Sequence, residues 1–243
     1  VTRLPHDLND PAWLHGLTAF TTVRVRGGEP LLWDEHVERL AGTCAFLGLP
    51  DPRKEARRVR DLIGAHDEGR ARLTVTLGGL HLTEGPLTRL SRSVLQGVSV
   101  LVTDVRVHPQ LAVHKTGNYL PYVLAGRHAH ERGAFEGLLL GEGGAVVDGS
   151  RTSLLLDIGG ELVVPTGGLP GVTRAALLRL WGRAWSERPV SAQDLARADH
   201  VWIAGSGVGV LPVREVLTDG QALSFEVRNV PALHPAFVPP PNV

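Results

Sequence analysis

The sequence predicts a chain of the α+β class, in which strands and helices mix without a regular βαβ series, and three observations predict it. The stretch "FTTVRVRGGEPLLW" at 20–33 holds two β-rich runs about the glycine turn "RGGEP", a hairpin signal. "DEHVERLAGTCAFLGLP" at 34–50 then switches to helical period. Finally, "EGLLLGEGGAVVDGSRTSLLLDIGGELVVPT" at 136–166 strings short apolar runs between glycine-rich turns with no helix among them, which is a meander.

Each element follows from its residues. In the 34–50 helix, Val37, Leu40, Ala41, Cys44 and Leu47 fall at i, i+3, i+4, i+7 spacing. Asp34 is placed to cap its start, and Gly48 followed by Pro50 to end it. Arg39 lies one step off the apolar stripe, so the core does not need it there. "DPRKEARRVRDLIGAH" at 51–66 reads as a second helix with a basic, solvated outer face, and "RARLTVTLGG" at 70–79 as a strand. Residues 80–95, "LHLTEGPLTRLSRSVL", read as the connection between two domains, and "VSVLVTDVRV" at 98–107 opens a new strand. After "HKTGNYL" at 114–120 comes a helix with Pro121 in its first turn and Gly133 at its end. "LPGVTRAALLRLWGRAW" at 169–185 enters another helix through a glycine turn. "ADHVWIAGSGVGVLPVREV" at 198–216 is strand, Gly/Ser turn, strand, and the closing "VPPPNV" reads as a loose tail.

Bulk properties exclude several function classes. The 243 residues suffice for one large or two small domains. Lys+Arg and Asp+Glu both number 25, so no net field draws nucleic acid or an acidic membrane. The one cysteine, Cys44, rules out an internal disulfide and a multi-cysteine metal site. The eleven histidines lack ligand spacing; the "HAH" at 128–130 points its rings to different helix faces. No run reaches the roughly 18 apolar residues of a membrane span, and nothing at the start reads as a secretory signal. A soluble cytoplasmic protein with no metal site is the expectation. With no Met in the chain, Val1 is not expected to be the encoded start.

Chemistry concentrates in a few motifs. "HKTGNYL" sets a lysine two residues before a glycine and close to Asn118 and Tyr119. "LPGVTR" offers the N–H groups of Val172 and Thr173, with a hydroxyl, at a helix mouth where unpaired donors and the positive dipole end favour phosphate. "AGSGVGV" at 204–210 is a second possible anion cradle, but a strand rather than a helix follows it, unlike a dinucleotide-binding fingerprint. Ser150 and Ser153 lie in no nucleophile-elbow pattern.

Taken in order, "FTTVRV…HVERL…K-x-x-N-Y…EGLLL-x5-VVDGSRTSLLL…VPT…LPGVTR…PVR" resembles the class IV pyridoxal-phosphate aminotransferase family, fold type IV, from about Gly16 to Arg214. Branched-chain aminotransferase, D-amino acid aminotransferase and aminodeoxychorismate lyase belong to it. The resemblance implies a small N-terminal α+β domain (1–88), a larger C-terminal domain with a β-barrel-like sheet (89–243), a homodimer, and pyridoxal 5'-phosphate in the cleft between the domains. Lys115 matches the Schiff-base lysine and Arg39 the arginine gripping the cofactor phosphate. Val172 and Thr173 match the turn supplying phosphate donors, and Ser206 a second phosphate position. Asp148 falls where the family usually has a glutamate facing the pyridine nitrogen, and Tyr119 matches a tyrosine near the phenolic oxygen. The chemistry wants these types: a neutral amine to exchange imines, a carboxylate to keep the ring nitrogen protonated, and a guanidinium to present two parallel donors to phosphate.

Within the family, "FTTVRV" and "VRVHPQLAVHKTGN" are similar to aminodeoxychorismate lyase, which makes 4-aminobenzoate and pyruvate for folate biosynthesis. Arg151 and Thr152 follow its "EGSRSN" pattern, with Ser153 in place of the asparagine. The chain departs from the family at Leu77, where an arginine is common, leaving Arg24 or Arg106 to meet a substrate carboxylate. Asp148 is one methylene shorter than glutamate, and Tyr119 is closer to the transaminases. Thr21 or Thr22 is expected to protonate the leaving group. The alternatives are an aminotransferase for branched-chain or D-amino acids and a cofactor-free binding domain that kept the fold.

Overall fold

The computed structural model describes residues 10–240. Contacts divide the chain into two compact units, the first running to Pro86 and taking in His114–Tyr119, the second comprising Leu87–Val113 and Leu120 onward.

The first unit opens with α1 (Pro11–His15) and β1 (Ala19–Arg26), followed by β2 (Glu29–Pro30), α2 (Trp33–Leu47), α3 (Arg53–Arg60), β3 (Glu68–Thr76) and β4 (Gly79–Pro86). Its strands form one sheet in the order β2-β1-β3-β4. The sheet is antiparallel throughout. Alternation along β1 sends Ala19, Thr21 and Val23 to the face that α2 covers. There Val37, Leu40 and Cys44 of α2 pack on Ala19, Val23, Leu73 and Val75, the stripe expected from the spacing. The helix starts at Trp33, one residue before the expected cap. Leu32 occupies the N-cap position with φ 54°, and Asp34 sits in the first turn, where its charge complements the helix dipole. The second helix is shorter than the sequence suggests, ending at Arg60. Residues 80–86, read as part of a connection, instead belong to the edge strand β4, in register with β3 from Gly69↔Pro86 to Thr76↔Gly79.

The second unit carries α4 (Arg92–Leu95), β5 (Val98–Arg106), α5 (Pro109–Ala112), α6 (Leu120–Glu131), β6 (Glu136–Leu140), β7 (Val146–Gly149), β8 (Ser153–Ile158) and β9 (Glu161–Pro165). Then follow α7 (Val172–Trp181), β10 (Trp185–Arg188), α8 (Ala192–Arg197), β11 (His200–Gly205), β12 (Gly209–Thr218) and β13 (Gln221–Ser224). Nine strands make one sheet in the order β10-β9-β8-β11-β12-β5-β6-β7, with β13 added to β12. The sheet curls until its ends meet: Val146 of β7 bridges Val190, just past β10, and its N–H donates to the Val190 carbonyl at 2.8 Å. Leu138, Leu154, Leu156, Val163, Val201, Ile203, Leu211 and Val213 fill the interior. This is the β-barrel-like sheet expected of the fold, with β5 and β6 running parallel on either end of α6. The meander read over 136–166 is broken in the middle: β6 pairs with β7 and β8 with β9, but β8 lies against β11 rather than β7. The helix read over 169–185 ends at Trp181, and Trp185, its expected last residue, instead opens β10, parallel to β9.

Candidate active site

In the first unit, the segment 115–117 is tacked onto the start of β1. Phe20 N donates to Lys115 O at 2.9 Å, Gly117 N to Thr18 O at 2.8 Å, and Ala19 bridges Thr116. From the other side, Lys115 N donates to Thr43 Oγ1 of α2 at 3.4 Å. A Cβ at position 117 would collide with Thr18 Oγ1 and lie 2.6 Å from Gly16 O, so only glycine lets this segment come so close. The backbone under Lys115 is thus fixed on two sides.

The Lys115 ammonium nitrogen donates to the Tyr119 hydroxyl at 3.1 Å and lies 4.8 Å and 4.7 Å from the ring centres of Phe20 and Tyr119. The two rings meet edge to face at 5.2 Å. On α2, Arg39 Nη2 donates to Thr21 Oγ1 at 2.9 Å, and that oxygen lies 2.7 Å from His36 Nδ1. Burial, with Arg39 and Lys115 adding positive charge, holds His36 well below the usual imidazole pKa.

The threonines of β1 separate by face. Thr21 is 0% exposed, its hydroxyl engaged by α2. Thr22 lies on the opposite face, directly across from Arg72 of β3. Arg24, 1% exposed, meets Glu68 with two hydrogen bonds of 2.9 Å, Nε to Oε2 and Nη2 to Oε1. Its charge is already matched. Arg106 belongs to the second unit and donates to Gly141 O at 3.0 Å. Leu77 is exposed in the β3–β4 turn.

Sequence reasoning passed over Arg72. Its guanidinium carbon stands 3.6 Å from the centre of the Phe20 ring, and its only hydrogen bond among the described residues is a long one, Nε to Thr74 Oγ1 at 3.4 Å. No carboxylate pairs with it there, and burial lowers its pKa, with Tyr119 opposing. The available signal was the period-2 run Arg70, Arg72, Thr74 in "GRARLTVT", a polar face on a strand.

In the second unit, Asp148 on β7 is buried and its Oδ2 accepts from Leu169 N at 3.2 Å. Val172 and Thr173 open α7, whose N-cap, Gly171, makes no side-chain cap. Its first N–H groups therefore lack intrahelical acceptors. Thr173 Oγ1 is buried with no hydrogen-bond partner among the described residues. A Cβ at Gly168 would strike Val147 O and come within 3.1 Å of Asp148 Cβ, so the turn entering α7 lies against β7. Ser206 sits in the β11–β12 turn, closed by Val208 N to Gly205 O at 3.1 Å. The turn after Asp148 joins these pieces: Ser153 abuts Gly171, and Thr152 abuts Gly205.

Glu136 was also missed. Fully buried at the head of β6, its Oε1 accepts from Ser150 Oγ at 2.6 Å and Arg151 N at 2.7 Å, which pins the turn that follows Asp148. Burial raises its pKa, opposed by Arg151 and these hydrogen bonds.

The family model for class IV amino-transferases matches residues 18–216. The chain belongs to the class IV aminotransferase family. A solved structure whose assignment as 4-amino-4-deoxychorismate lyase is provisional has 43% identity and a TM-score of 0.78, covering 88% of each chain. The 4-amino-4-deoxychorismate lyase of Pseudomonas aeruginosa has 30% identity and a TM-score of 0.80, over 94% of this chain and 91% of that one. Among sequence relatives, the D-alanine aminotransferase of Bacillus licheniformis is 26% identical over 89% of this chain and 84% of its own. Class IV enzymes depend on pyridoxal phosphate, and that is the cofactor of this one. The residues fit it: an orphaned buried hydroxyl and open N–H groups at the mouth of α7 suit a phosphate, and an amine held between two aromatic rings suits an aldehyde. No helix among the described residues is long and apolar enough to cross a membrane.

Proposed function

We propose that this class IV enzyme is a 4-amino-4-deoxychorismate lyase, releasing 4-aminobenzoate and pyruvate for folate synthesis. One observation carries the reading: the two structures named for that activity match nearly the whole chain at 43% and 30% identity, above the 26% of the aminotransferase.

Lys115 would hold the cofactor covalently, with Tyr119 beside its attachment. Arg39, the N–H groups of Val172 and Thr173, the Thr173 hydroxyl and Ser206 would hold the phosphate, and Asp148 the ring nitrogen. Bound there, pyridoxal phosphate supplies an electron-accepting ring for the pair released at the substrate's amine-bearing carbon. Released from the cofactor when the substrate's amine takes its place, Lys115 Nζ would take the proton from that carbon, its ammonium form being held by Tyr119 and the two ring faces. Arg72, with no carboxylate partner among the described residues, presents a cation to the carboxylates of the substrate. Of the two threonines, Thr21 is committed to Arg39 and His36, so Thr22 is the one to protonate the departing enolpyruvyl group. A homodimer in the cytoplasm is part of the same proposal, and sedimentation of the purified enzyme at twice the chain mass tests the former.

Amine transfer is the second reading, favoured by the Tyr119 hydroxyl 3.1 Å from Lys115 Nζ. Purified enzyme is given 4-amino-4-deoxychorismate alone, and separately an amino acid with a 2-oxo acid. Formation of 4-aminobenzoate and pyruvate in equal amounts without any 2-oxo acid supports the lyase. Amine exchange with no 4-aminobenzoate overturns it in favour of transamination.

A further inference from the structure

The Thr21 hydroxyl has one proton and two lone pairs, and it is wholly buried. A guanidinium only donates, so the 2.9 Å contact from Arg39 Nη2 uses a lone pair of Thr21 Oγ1. The hydroxyl proton then needs an acceptor, and among the described residues the only one within reach is His36 Nδ1 at 2.7 Å. That requirement sets the histidine: Nδ1 bare, the proton on Nε2, the ring neutral. Its 1% exposure and the cations on either side of it favour the same state.

We propose that His36 is a positioning residue for the cofactor phosphate, aiming Arg39 through the Thr21 hydroxyl. His36 and Arg39 stand one helical turn apart on α2, and Thr21 reaches them from β1, so strand and helix together fix the guanidinium. A free arginine loses rotamer freedom when it is immobilised. With the relay in place, part of that ordering precedes the ligand. The inference rests on the reading that Arg39 takes the cofactor phosphate.

The test compares two ligands on the apo-enzyme, pyridoxal phosphate and pyridoxal, which lacks the phosphate. T21V is expected to weaken pyridoxal phosphate about tenfold and pyridoxal less than about twofold, the loss of one charge-assisted contact. T21S, which keeps the hydroxyl, restores binding. H36L behaves like T21V, whereas H36N, whose amide oxygen accepts in place of Nδ1, retains affinity. In an R39A background T21V adds nothing. Should T21V not fold, the contrast between H36L and H36N decides. Equal weakening of both ligands by T21V or H36L, or no weakening, overturns the relay while a phosphate-specific loss in R39A leaves the larger reading standing. If R39A weakens both ligands alike, the phosphate assignment of Arg39 falls, and the relay with it.

Discussion

In the first unit polar groups are held by other side chains. Thr21 holds Arg39, Glu68 holds Arg24, Tyr119 holds Lys115, and Phe20 lies under Arg72. In the second unit Asp148 and Glu136 take N–H groups from turns of the main chain. Asp148 takes an N–H from the turn entering α7, Glu136 takes one from Arg151, and Thr173 opens a helix whose own N–H groups are on offer. Among these groups the first unit contributes the cations Lys115, Arg24, Arg39 and Arg72, and the second the carboxylates of Asp148 and Glu136 with the N–H groups that open α7. A side-chain-held group moves when its neighbour is trimmed; a backbone-held group moves when a Cβ is added where none fits.

That contrast can be broken at its strongest point first. K115A should lower turnover about a thousandfold or more, the scale of a lost proton-transfer group. Borohydride treatment followed by mass analysis should then no longer fix the cofactor to peptide 114–120. A retained adduct elsewhere removes the lysine from its assigned role.

Next comes the second unit's sensitivity to a single methyl. At G168A the new Cβ meets Val147 O, a backbone atom that cannot swing aside. A loss of about 3 kcal/mol in urea unfolding is expected, at the upper end of overpacking costs. T74A, a trimmed side chain on β3 of the first unit, should cost less than about 1 kcal/mol. Reversal of that order would erase the distinction between the units.

Arg72 gives the third, kinetic test. R72A should raise KM for the carboxylate substrate about ten- to a hundredfold with kcat little changed, and R72K should recover only part of it. An unchanged KM takes Arg72 out of substrate binding, whichever reaction the enzyme runs.

The smallest effect is on stability against pH. His36 is held below its ordinary value of 6.5 in the folded chain, chiefly by burial. Below that pH the unfolded chain takes up a proton that the folded chain refuses, so stability is full above about 6.5 and declines as pH falls. The His36 contribution should be about 1 kcal/mol between pH 7 and pH 5.5, and H36N should remove that part of the slope. An identical slope in H36N would mean that other groups carry it.

Much of this was legible before any coordinates. The α2 stripe, the glycine beside Lys115 and the glycine turn into α7 are local patterns, and each sits where its neighbours in the chain require. What escaped depends on partners far along the chain. Arg24 looked available because Glu68, which neutralises it, is 44 residues away. Arg72 was read only as part of the strand at 70–79, and it is the register that sets it opposite Thr22 and against Phe20. β4 was taken for a connection because "LHLTEGP" is polar and ends in proline, traits of an edge strand that borrows its order from β3. Glu136 at the head of "EGLLL" gave no sign that two donors from residues 150 and 151 would converge on it.

The chain enters the first unit twice, once at its start and again for the six residues 114–119. A gene cut after codon 86 would therefore strand the lysine on one fragment and the strand it leans on, β1, on the other. Neither piece alone could bring that amine to order, so an enzyme split at that point must rebuild the Ala19–Thr116 bridge by reassociation before it can take up its vitamin.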